Sequence, residues 1–112
     1  MILTLRVFFA AILVIMIVST TWASLQLSIV EGGGELLRNP WGVMTLLDAY
    51  FGFLTFFVWV AYKERTAAGR ILWLILILTL GNIAMAIYML IQLFRLPVDA
   101  TASDLLLRRS AV

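Results

Sequence analysis

The chain has 112 residues, 64% of them hydrophobic and 12% charged, with a mean hydropathy of +1.11; a soluble domain is roughly 45–50% apolar, so this is the balance of a membrane protein. With neither histidine nor cysteine, imidazole and thiolate metal sites, haem ligation, disulfides and histidine-based triads are excluded, and no metal or cofactor is expected. The net charge of +2 comes from eight basic and six acidic residues dispersed along the chain, without the basic run that binds nucleic acid.

Taken in chain order, the first element is Val7 to Ser24, an unbroken apolar block to Val18 that softens into Ser19-Thr20-Thr21-Trp22. Its make-up also fits a signal peptide, with Arg6 before the apolar block and Thr21-Trp22-Ala23 as the cleavage site. Glu31-Gly32-Gly33-Gly34-Glu35 follows and reads as a flexible linker; a glycine triplet can cradle an anion, but the flanking glutamates repel one. Asn39-Pro40-Trp41 opens a second span to Tyr62, with proline in the first turn, where no N–H is needed. After the short basic loop Lys63 to Arg70, a third span runs from Ile71 to Phe94, and Pro97 stops it.

Each span has about 18–24 residues, and roughly 20 are needed to cross the ~30 Å hydrocarbon core. Lipid offers no partner for backbone N–H and C=O groups, so helices are required. The expected fold is all-α: an integral membrane three-helix bundle, spans 7–24, 41–62 and 71–94, with a tail over 97–112. Thr101 to Arg109 has a capping pattern ahead of leucines and arginines, which predicts a short amphipathic helix on the membrane surface, with a frayed terminus as the alternative.

Within the second span Trp41, Thr45, Asp48, Gly52, Thr55, Trp59 and Tyr62 recur at spacings of three and four, a polar and small-residue stripe expected to face protein while bulky side chains face lipid. Asp48 sits deep, and counting along the helices brings Asn82 and Ser19, Thr20 and Thr21 to a similar depth. The expectation is a polar cluster of these residues with Thr45, closed by the small Gly52 and Gly81. Trp22, Trp41, Trp59, Tyr62, Lys63 and Trp73 stand near span ends, as interfacial anchors do. Met85, Met89 and Gln92 continue the face of Asn82 and read as packing. Lysine and arginine in short loops mark the cytoplasmic side, and the loop after the second span favours an N-in, C-out arrangement.

Pro40-Trp41, Thr45-Leu46-Leu47-Asp48-Ala49-Tyr50, Trp59-Val60-Ala61-Tyr62-Lys63-Glu64 and Gly81, Tyr88, Gln92-Leu93-Phe94, in that order, resemble a plant and bacterial membrane-protein family that carries only a domain-of-unknown-function label. The resemblance runs from about Asn39 to Leu96. It implies that Asp48, Tyr50, Tyr62, Lys63 and Glu64 belong to the family pattern and a multi-pass place in a membrane, here the bacterial inner membrane; it implies no activity. The function expected is non-enzymatic: an oligomeric or accessory subunit of a membrane complex, its partners being lipid and either itself or a larger assembly. The alternative is a half-transporter with a solute or proton site at Asp48. An enzyme is not expected, because acid–base chemistry needs a second titratable group near Asp48.

Overall fold

The computed structural model describes residues 1–108, and within them the protein is all-helical, with six helices and no strand. Helix α1 spans Ile2–Gln26, α2 Ile29–Arg38, α3 Pro40–Lys63, α4 Ala67–Leu80, α5 Asn82–Phe94 and α6 Ala102–Leu106. Two of them, α1 and α3, are long and apolar enough to cross a membrane.

The segment expected to be a flexible linker is helix α2. Ser28 caps it by accepting the Glu31 N–H at 3.2 Å, and Glu31 in the first turn and Arg38 in the last both complement the helix dipole. Together with the packing of α2 on α3, these gains offset three interior glycines, each costing about 1 kcal/mol against alanine. Asn39 then caps α3 through the Trp41 N–H at 2.9 Å, with Pro40 in the first turn as expected. Gly42 is buried against the Leu36 backbone, where a Cβ would collide, so α2 folds tightly back on the start of α3.

The third span is not one helix. Trp73 and Tyr88 are fifteen residues apart in sequence, about 22 Å along a continuous helix, yet their ring centroids lie 4.8 Å apart. The chain doubles back at Gly81, whose φ of 58° and ψ of −124° suit glycine alone. The Gly81 α-carbon faces the Phe53 ring so closely that a Cβ would stand 2.8 Å from it. Helices α4 and α5 are therefore the arms of a hairpin that descends α3 as far as Phe53 and returns. The three-helix bundle is corrected on this point: two long helices are joined by a short hairpin, with α2 and α6 added at the ends.

The hairpin brings the start of α1 together with the end of α5 and with α6. The Arg6 guanidinium donates to Leu93 O at 3.2 Å and Leu96 O at 2.8 Å, and Ile2, fully buried, packs with Met89, Leu93, Leu96 and Leu105. The start of α1, the end of α3, both outer ends of the hairpin and the tail thus share one end of the molecule, called here the basic end. The end of α1, helix α2 and the start of α3 form the far end. An uninterrupted third span would carry Leu96 away from Arg6; the turn at Gly81 brings the two into contact instead. Helix α5 lies along α1, and a second core of Val60, Ile77, Ala84 and Tyr88 sits between α3 and the hairpin.

Candidate functional site

At the basic end, three helix C-termini meet, and each is closed by a cation from another part of the chain. Arg6 serves α5 as described. Arg70 Nε donates to Ala61 O at 2.9 Å and Glu64 O at 3.2 Å, closing α3. Lys63 Nζ donates to Leu105 O and Leu107 O, both at 2.9 Å, closing α6. The last carbonyls of a helix lack internal partners and carry its negative pole, so a lysine or arginine there is favoured twice, by hydrogen bonding and by charge.

The Trp59 to Glu64 stretch finds its purpose in the same place. Trp59 Nε1–H donates to Leu106 O at 2.9 Å, and the Tyr62 hydroxyl accepts the Arg108 N–H at 3.0 Å while Arg108 Nε donates to Tyr62 O at 2.6 Å. Glu64 accepts the Tyr88 hydroxyl at 3.1 Å. Tyr88, fully buried, meets Phe56, Trp59 and Trp73 edge to face, with centroids 6.2, 5.6 and 4.8 Å away, the arrangement ring quadrupoles prefer. Trp59 and Trp73 are therefore walls of an aromatic core, and Tyr62 and Lys63 hold the tail. Trp22 and Trp41 are 64% and 79% exposed, near the far-end termini of α1 and α3. The tail does form its helix, with the Thr101–Asp104 capping box, and buries Leu105; Arg109 lies outside the described residues. Met89 and Gln92 are buried on α5 and Met85 packs against the second core.

The expected polar cluster is not assembled within one chain. Asp48, Asn82, Ser19, Thr20, Thr21 and Thr45 are all exposed, and among the described residues no hydrogen bond joins Asp48 to any of the others. Thr45 donates to Trp41 O and Thr55 to Phe51 O, each at 2.8 Å within α3. The side of α3 that meets the hairpin carries Phe53, Phe56, Phe57 and Val60, and the side toward α1 and α2 carries Leu46 and Tyr50. At about 100° per residue, Asp48 lies opposite the midpoint of Leu46 and Tyr50. Large aromatics, not the small polar stripe, face the protein, because rings fill the wide spaces beside a hairpin. Gly52 accordingly has open space within 4 Å of its Cβ position, whereas Gly81 makes the hairpin turn.

Thr45, Asp48, Gly52 and Thr55 remain as an uncovered seam on α3, with Asp48 seven residues from Trp41 and 14 from Tyr62, roughly 10 Å and 21 Å along the axis. No curated protein and no solved structure matches the chain. A family model, described as a protein of unknown function (DUF1475), matches residues 1–110, so the shared pattern includes α1 and the tail as well as the middle of the chain.

Proposed function

The chain belongs to the DUF1475 family, and we propose that it is a small non-enzymatic membrane protein that crosses the bilayer twice and associates with a second copy of itself through the α3 seam. Membrane placement is supported by the outer surfaces of α1 and α3. Only 6% of the most apolar stretch of each is buried, unlike the core helix of a soluble protein, and Phe8, Val14, Ile15, Val18, Phe51 and Val58 are all more than half exposed. Ile2 and Arg6 are built into the fold, which favours α1 as a lasting element over a removed signal sequence. Arg6, Lys63, Arg65, Arg70, Arg95 and Arg108 gather at the basic end, against Arg38 with Glu31 and Glu35 at the far end. Under the positive-inside rule both termini then face the cytoplasm.

Asp48 carries the proposal. A carboxylate facing lipid at this depth costs about 2.5–3.5 kcal/mol on insertion scales, and among the described residues no hydrogen bond or ion pair to Asp48 offsets that. A two-fold axis would bring the same seam face to face, with Gly52 permitting close approach and Asp48 bonded across the interface, each such bond contributing about 0.6–2 kcal/mol. A transport site at Asp48 has less support, since the only side chains beside it on the seam are hydroxyls that donate to their own helix. The protein lacks cysteine, so single cysteines report cleanly. Under oxidation in membranes, Thr55→Cys should give a disulfide dimer and Leu54→Cys, which faces away, should not. Asp48→Leu should shift the size in mild detergent from dimer to monomer, with Asp48→Asn intermediate. A monodisperse monomer for the unmodified chain, or equal cross-linking at both cysteines, would refute self-association.

A further inference from the structure

The hairpin has a consequence at the far end. Near the basic end α5 occupies the space between α1 and α3, but its turn at Gly81 reaches only as far as Phe53. Beyond Phe53 no helix follows, and the two long helices border an open cavity of about 620 Å³ roofed by α2. That lies within the roughly 300–1,000 Å³ of sites that hold small organic ligands. Tyr50, its ring 5.3 Å from Phe53, stands at the deep end.

We propose that this cleft seats one acyl chain and the adjoining ester region of a bilayer lipid from the far-end leaflet. The proposal rests on the membrane placement above, not on self-association. Depth supports it: Tyr50 is nine residues on from Trp41 and Ser19 seven before Gln26, so the cleft runs about 10–14 Å inward, close to half of a ~30 Å core. The chemistry agrees. No lining residue carries a formal charge, and the apolar wall includes Ala23, Leu46 and Leu37. The lining side chains with polar atoms are Ser19, Thr20, Ser24 and Ser28 on the α1 side and Tyr50 on α3, all of them hydroxyls. Ser24 donates to Thr20 O at 2.8 Å and Ser28 accepts the Glu31 N–H, which leaves the Ser28 proton, at the mouth of the cleft, for an ester oxygen. An uncharged donor at the mouth of a largely apolar slot suits the ester and chain of a lipid and gives no grip on an ionic solute.

The roof is kept thin by glycine. Gly32 and Gly33 line the cleft, and a Cβ at Gly33 would meet nothing within 4 Å. A side chain there would enter the lipid's space without disturbing protein. The Asp48 seam lies on the opposite side of α3, so a second copy bound there leaves the cleft open to lipid.

The test reconstitutes the full chain in phosphatidylcholine vesicles containing a trace of phosphatidylcholine with a diazirine in its acyl chain, followed by irradiation and mapping of the adducts. Adducts at Ala23, Leu46 and Tyr50 should exceed those at the outward Phe51 and Val58 several-fold. Gly33→Leu and, independently, Ala23→Phe should remove the excess while leaving the Phe51 and Val58 adducts and the helix content unchanged. Equal labelling around α3 in the unmodified chain, or a cleft excess that Gly33→Leu and Ala23→Phe both leave unchanged, would overturn the proposal while leaving membrane placement intact. Absence of adducts on every face would overturn both.

Discussion

The two ends of this molecule use polar side chains in opposite ways. At the basic end Arg6, Lys63, Arg70, Trp59 and Glu64 are all hydrogen-bonded to other parts of the chain, and Tyr88 is sealed within three aromatic rings. At the far end the hydroxyls of Ser19, Thr20, Ser24 and Ser28 border an open cleft under a helix with three consecutive glycines. Packing that gives nearly every polar group a partner, Arg6 Nε being the exception, specifies a fold and leaves little for a ligand; unfilled space with uncommitted donors is what a ligand needs. Motif density is thus a poor guide to the binding surface here, since the richest motif, Trp59 to Glu64, is spent on closing helices.

The contrast predicts how substitutions divide between the ends. Tyr88→Ala should have the largest effect, a loss of about 3–5 kcal/mol for emptying a buried aromatic site, read as a lowered melting temperature in detergent. Gly81→Ala should follow, costing about 1–3 kcal/mol because alanine is strained at φ 58° and its methyl meets Phe53; a wild-type melting temperature would argue against the hairpin turn. Lys63→Met should cost about 1 kcal/mol through the α6 carbonyls it leaves open. Its clearest readout is faster proteolysis within residues 97–108 with α1 and α3 intact. The far end should respond with the opposite sign: Gly33→Ala adds a methyl into open space within a helix and should stabilise by about 0.8–1 kcal/mol. The comparison fails if Gly33→Ala and Gly81→Ala destabilise alike.

Composition and local pattern determined the helical class, the two bilayer-length helices, the Asn39-Pro40 start of α3 and the Thr101 cap of α6. Each depends on hydropathy over one stretch or on a hydrogen bond spanning two or three residues, and such terms are legible without knowing neighbours. Residues 31–35 read as a linker because their glycines weigh locally, whereas the cap of α2 and its packing on α3 depend on residues outside that stretch. Only the tertiary structure decided that residues 71–94 turn back. An apolar segment interrupted by one glycine has the same periodicity whether it kinks or reverses; Phe53 against Gly81 and Trp73 against Tyr88 select reversal, and those contacts join residues distant in sequence. That reversal brings the termini to one end, gives the basic residues helix carbonyls to close, turns the Asp48 seam outward and opens the cleft, because which face of a helix is covered is set by the shape of what packs against it and not by the stripe it carries.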